Sequence, residues 1–253
     1  MARLPLVRLR WSSPTSSKLP APYPRPNPLG PLSHIVSSLV SRHIVWDWNG
    51  TLLDDLHVVI EAVNRSMGLL GIDPIDEDGY RDHFTRPVRS FYDSLLGRLV
   101  SDLEWDRLNQ GFHDHYYTLV PAARLAPDAT EALRVVEEGG WRQSLLSMSP
   151  QPYLEWMVAA IGIEDFFEVI DGLSGPTGGT KAEHLKAHLA KLAVDPSGAV
   201  VIGDTPDDAS AARHVGAAVV LYDGGSHHLP ALEEVGVPIA HTLLEAVDLA
   251  GRL

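Results

Sequence analysis

The chain has 253 residues, 45 % of them apolar, enough for one large α/β domain or a core with a smaller appended unit, which excludes global disorder. A net charge of −13 argues against a general nucleic-acid binder, and the absence of cysteine excludes disulfides, thiolate catalysis and cysteine-based zinc sites. The lack of cysteine is compatible with a cytoplasmic enzyme, and no run of about 18 apolar residues is present to span a membrane.

Residues 1–42 differ in composition from the rest. Arg3, Arg8, Arg10, Lys18, Arg25 and Arg42 precede the first acidic residue, Asp47, and PAPYPRPNPLGP is proline-rich. Such a stretch builds no core. It reads as a disordered N-terminal extension or as upstream sequence from a misassigned start. A transit peptide fits less well, because no clear amphipathic helix is visible.

From residue 43 the pattern is orderly. His43-Ile44-Val45-Trp46 predicts a short strand that stops at Asp47 and the turn WNGT. Leu56, Ile60, Val63, Met67 and Leu70 follow helical spacing, with Gly71 as the C-terminal cap. Ser101-x-x-Glu104 is a capping box ahead of a helix bearing Leu108, Phe112 and Leu119. A helix follows over 128–138, closed by Gly139-Gly140, then a buried strand over 144–148 and a helix over 150–161. Thr180-x-x-Glu183 caps a helix bearing Leu185, Leu189 and Leu192. On it, His184 and His188 at i, i+4, beside Lys181 and Lys186, read as a solvated face rather than a metal pair. Ala199 to Asp204 is a continuous apolar run, as in a strand buried on both faces. A helix over 207–215 and a strand over 219–222 complete a strand–helix alternation that implies a parallel sheet covered by helices on both faces. A helix-rich block over 58–122 interrupts it after the first strand.

Ligands of open α/β sheets gather at the C-terminal ends of the strands. Here those ends read Asp47-Trp48-Asn49-Gly50-Thr51, Ser147-Met148-Ser149 and Gly203-Asp204-Thr205-Pro206-Asp207-Asp208, and a helix opens with Gly178-Gly179-Thr180-Lys181. Two carboxylates, a hydroxyl and a lysine at neighbouring strand ends suit a magnesium ion and a phosphoryl group, with a carboxylate as nucleophile. Each piece alone has an ordinary explanation in turn or cap chemistry. The ordered set does not.

Asp47-x-Asn49-Gly50-Thr51-Leu52, Ser147, Lys181 and Gly203-Asp204-x-x-x-Asp208 together resemble the haloacid dehalogenase superfamily, in its phosphatase branch and closest to phosphoglycolate phosphatase-like proteins. The resemblance runs from about residue 43 to 225. It implies a Rossmann-like α/β core over 43–57 and 123–253, with a helical cap over 58–122 inserted after the first strand. It also implies hydrolysis of a small phosphomonoester through an aspartyl-phosphate on Asp47. Magnesium (Mg2+) would be held by Asp47, the Asn49 carbonyl and Asp204. Thr51, Ser147 and Lys181 would bind the phosphoryl oxygens, and Asp208 would support the metal shell or orient Lys181.

Two positions depart from the family pattern. Asn49 replaces the acid that protonates the leaving group, and Met148 stands where asparagine is frequent. A positioned acid contributes about 10²–10⁴-fold, so the rate suffers while binding survives unless another acid, His57 or His83, substitutes. In the cap, Arg86 and His83 of HFTRPVRSFY are candidates for contacting an acidic substrate. The alternatives are a phosphotransferase or mutase on the same scaffold, or a phosphate- or partner-binding protein with vestigial activity.

Overall fold

The computed structural model describes residues 42–174 and 179–253. The extension read up to residue 42, Arg42 aside, and Gly178 of the predicted lysine-bearing helix start lie outside the described residues.

In chain order the elements begin with β1 (His43–Trp46), β2 (Leu53–Asp54), α1 (Leu56–Gly68), α2 (Glu77–His83), α3 (Val88–Leu96) and α4 (Asp102–Leu119). β3 (Arg124–Leu125), α5 (Ala129–Glu138), β4 (Arg142–Pro150), α6 (Gln151–Ile161), β5 (Ile170–Leu173) and α7 (Lys181–Lys191) follow. β6 (Ala199–Gly203), α8 (Pro206–Val215), β7 (Ala218–Tyr222), α9 (Leu229–Glu233), β8 (Ile239–Ala240) and α10 (Leu243–Ala250) complete the chain. The main sheet has six parallel strands in the order β5-β4-β1-β6-β7-β8. β1 lies inside it, with Val45 opposite Ser144 of β4 and Val201 of β6.

Both faces of this sheet are covered, which is why its strands read as continuous apolar runs. Ile44, Trp46, Leu145 and Ile202 point to one side, against Leu133 of α5, Leu154 of α6 and Leu243 of α10. Val45, Leu146 and Val201 point to the other, against Leu185 and Leu189 of α7 and Ala209 of α8. The period of two along each strand divides one apolar run between two cores.

Helices α1 to α4 lie between β2 and β3, a short antiparallel pair that joins the outgoing and returning chain, Leu53 facing Leu125. The helical block has its own core of Val63, Met67, Tyr80, Phe91, Tyr92 and Leu108. Both predicted capping boxes are formed, at Ser101–Glu104 and at Thr180–Glu183. α1 stops at Gly68, three residues short of the predicted glycine cap. Gly71, at φ +70°, shapes the turn after it.

His188 corrects the solvated-face reading of α7. It is buried, its Nδ1 is 2.7 Å from Asp171 Oδ2 and its Nε2 is 2.7 Å from Ser144 Oγ, which also meets His43 Nε2 at 2.7 Å. The neighbouring Lys181 and Lys186 suggested solvent, but α7 turns this histidine toward β4 and β5. Ser144 itself is fully buried, so this serine–histidine–aspartate chain ties elements together and presents no nucleophile.

Candidate active site

Parallel pairing brings β1, β4 and β6 side by side, and the polar stretches that follow β1 and β6 converge with the one in the C-terminal half of β4. Asp47 follows β1 directly, its amide donating to the Ile202 carbonyl at 2.9 Å. Asp204 follows β6. Asp208 sits in the first turn of α8, where Thr205 Oγ1 donates to its Oδ2 at 2.6 Å and the Thr205 amide does so at 3.0 Å. Lys181, the first residue of α7, is buried with its Nζ 2.5 Å from both Asp47 Oδ1 and Asp208 Oδ1.

The turn after β1 allows this crowding. Gly50 has φ +73°, and a Cβ there would collide with the Asp204 carboxylate. Gly203 likewise leaves room for the Asp208 carboxyl. Neither position tolerates a side chain without moving an acid.

The electrostatics are dominated by three buried acids and one buried ammonium. Burial pushes Asp47 up to about 6, against the pull of Lys181. Burial, reinforced by Asp47 and Asp208, pushes Asp204 up to about 8. Burial works against the Asp208 carboxylate too, but Lys181 and Thr205 hold it below the ordinary range. Burial alone would lower Lys181; Asp208 and Asp47 outweigh it and raise the ammonium above its usual value. Negative charge in this cluster exceeds positive charge, and the ligand oxygens of Asp47, Asp204 and Asp208 lie within 4.8 Å of one another. Hard carboxylate oxygens under mutual repulsion, at strand ends, fit a magnesium ion.

The other expected residues are distributed around this cluster. Ser147 is buried in the C-terminal half of β4 and borders the same cavity as Asp47, Asp204 and Lys181. Its Oγ accepts from the Ser149 amide at 3.0 Å. Thr51 is fully buried, and its hydroxyl points to Asp204 at 3.4 Å rather than into the cavity. Arg86 borders the cavity 4.0 Å from Asp207. His83 bonds Ser94 Oγ at 2.9 Å and lies outside the cavity wall, and His57 is exposed on α1.

Asn49 is held by three neighbours. Its Nδ2 donates to Asp55 Oδ2 and to Tyr116 Oη, both at 2.7 Å, and its Oδ1 accepts from Ser149 Oγ at 2.8 Å. Tyr116 also donates to Asp55 Oδ2 at 2.6 Å. Asp55 is 1 % exposed, borders the cavity and is raised by burial against the bonds from Tyr116 and Asn49. Sequence reasoning passed over Asp55, Tyr116 and Ser149. The adjacent acids Asp54-Asp55 were visible, but nothing local distinguished the exposed one from the buried one.

The match to known proteins follows this geometry. A phosphoglycolate phosphatase from Mesorhizobium japonicum is 27 % identical over 217 residues, covering 83 % of this chain and 95 % of the relative. Another, from Synechococcus elongatus, is 26 % identical over 184 residues, covering 72 % and 84 %. A haloacid dehalogenase-like family protein from Streptococcus pneumoniae superimposes with a TM-score of 0.71 at 23 % identity, over 82 % of this chain and 97 % of its own. The haloacid dehalogenase-like hydrolase family matches residues 42–216, the span that contains Asp47, Ser147, Lys181, Asp204 and Asp208. The chain therefore belongs to the haloacid dehalogenase-like hydrolases.

Proposed function

We propose that the protein hydrolyses a small phosphomonoester, with Asp47 as the nucleophile that accepts the phosphoryl group. The observation that carries this reading is the convergence of Asp47, Asp204 and Asp208 around the buried Lys181 ammonium, 2.5 Å from two of them. The relatives named phosphoglycolate phosphatase support phosphomonoester chemistry.

Asp47 has the properties of such a nucleophile. It is ionised at neutral pH, buried away from competing water and fixed in orientation by Lys181. Its attack on phosphorus breaks the bond to the alcohol and leaves an acyl phosphate, which water then cleaves at phosphorus to restore the carboxylate. Lys181 and Ser147 hold phosphoryl oxygens, and Asp208 keeps Lys181 in place. Asp47, Asp204 and the Asn49 carbonyl would hold magnesium, which when bound neutralises and orients the phosphoryl group. Helices α1 to α4 act as a cap over 58–122, closing the site from water.

The leaving alcohol needs a proton that Asn49 does not carry. Asp55, which borders the cavity beside Asn49 and whose protonated form burial favours, would supply it directly from that form.

Phosphate release from a panel of esters tests the reading. Turnover is expected with magnesium, is abolished by chelator, and falls at least about 10³-fold in Asp47→Asn, an amide being a poor nucleophile. Full activity in excess chelator, or in the folded Asp47→Asn protein, would overturn it.

A further inference from the structure

We propose that the alcohol part of the substrate is uncharged and largely apolar, of about the size of a benzyl group, and not a short carboxylated alcohol. This rests on the phosphohydrolase reading and concerns the part of the substrate remote from phosphorus.

The cavity above Asp47 holds about 260 Å³ and runs from the strand ends into the helical block. The phosphoryl group occupies only the end at Asp47, Ser147 and Lys181. The remaining wall comes from α1, the turn after α2, α3 and α4. Val59, Phe84, Val88 and Phe112 border it, each packed on the block's core yet still partly exposed. The rings are braced: Phe84 lies 5.0 Å from Tyr80 and 6.0 Å from Phe91, and Phe112 stacks on Tyr116 at 5.5 Å. Held aromatic walls recognise apolar groups with little further ordering cost.

Charge argues in the same direction. Asp47 and Asp204 are matched by the magnesium they would hold, and Asp55 is read as the proton-bearing acid, which leaves Asp207 and Arg86 as the fixed charges on the rest of the wall among the described residues. Lys181 is committed to Asp47 and Asp208. The Arg86 side chain is 46 % exposed and shared with Asp207. A second carboxylate on the substrate would meet no net positive charge and no dedicated bidentate partner, the arrangement that rejects it. The polar groups at the far wall, Asn109 and His113, suit a neutral hydroxyl or carbonyl; His113 Nδ1 already bonds the Asn109 carbonyl at 2.7 Å.

The test compares benzyl phosphate, 4-carboxybenzyl phosphate and phosphoglycolate as substrates of the magnesium-loaded full chain. In parallel, benzylphosphonate and phosphonoacetate are titrated calorimetrically as unreactive probes. Benzyl phosphate is expected to exceed phosphoglycolate by about 10–100-fold in kcat/KM, the range expected for burying one ring, and to exceed 4-carboxybenzyl phosphate, which has the same ring but must bury an unpaired charge. Val88→Arg should move the preference toward the carboxylated esters. Phe84→Ala, which removes a ring without adding charge, should shrink the benzyl advantage if the arginine variant does not fold. Equal or better turnover of either carboxylated ester overturns the inference and leaves the hydrolase reading standing. No hydrolysis of any ester, with benzylphosphonate still bound more tightly than phosphonoacetate, overturns the hydrolase reading and supports the inference. Absence of both hydrolysis and selective binding overturns both.

Discussion

Asn49 sets the proton problem of this site. Both hydrogens of its amide are committed, to Asp55 and Tyr116, so the side chain positions its neighbours and donates nothing to a leaving group. Asp55→Asn is expected to slow alkyl phosphates by about 10²–10⁴-fold and aryl phosphates far less, since an acidic leaving group needs no proton. Asn49→Asp sets a carboxyl against Asp55, and two adjacent carboxyls retain a shared proton. That variant should accelerate alkyl phosphates and flatten the dependence of rate on leaving-group pKa. Rates over a matched ester series for the three proteins check both expectations. Identical slopes in wild type and Asp55→Asn would place the proton source elsewhere. Asp47, Lys181 and Asp204 were legible in the sequence because each sits at a strand end or helix start that local pattern reveals, and Ser147 because it closes the apolar run of β4. Asp55 was not, because its meaning comes from Tyr116, 61 residues further on.

At the scale of single elements, α7 links helix capping to catalysis. Thr180 Oγ1 accepts from the Glu183 amide, Glu183 reaches back to the Thr180 amide at 2.8 Å, and Lys181 is the next residue. Thr180→Ala should cost about 1 kcal/mol of stability. It should also lower kcat several-fold, because the first turn carries the ammonium bound to Asp47. Thr180→Ser should restore both. Urea unfolding and turnover, measured on the same preparations, test the coupling; a stability loss with unchanged kcat would separate the cap from the lysine. Both capping boxes were legible because their signal spans four residues. The buried strands β1, β6 and β7 were legible because burial on both faces leaves an unbroken apolar run. β5 and β8 were not. β5 is four half-buried residues, IDGL, and β8 only two. Their pairing partners, not their own composition, make them strands. Helices α2 and α3 are seven and nine residues long, too short for periodicity to stand out.

Across the whole molecule, the sheet order places β1 between β4 and β6, and a buried polar chain stitches the same region at its other end. His43 of β1 and His188 of α7 both meet Ser144 of β4, and Asp171 of β5 receives His188 and Lys191, the latter at 2.7 Å. Strand–helix alternation predicted the layers, but contacts between residues 101 and 44 positions apart lay outside any local pattern. This chain makes stability depend on pH. Burial, with Arg142 and His188 adding to it and Glu168 opposing, lowers His43 to about 4, from 6.5. Burial also lowers His188, against the attraction of Asp171. Between about pH 6.5 and pH 4 the unfolded chain therefore binds protons that the folded one refuses, and stability falls as pH falls. The contribution is fully present above pH 6.5 and lost on the way down to the folded value. For His43 alone the loss is on the order of 3 kcal/mol, since each tenfold change in proton affinity between the folded and unfolded chain is worth about 1.4 kcal/mol. Urea unfolding at about pH 7.5, 6.0 and 5.0 should show this decline, and His43→Gln should show a shallower one. Acidic groups common to both proteins cancel in the difference, which isolates the histidine. Parallel declines in the two proteins would mean that His43 takes up its proton without unfolding the strand that buries it.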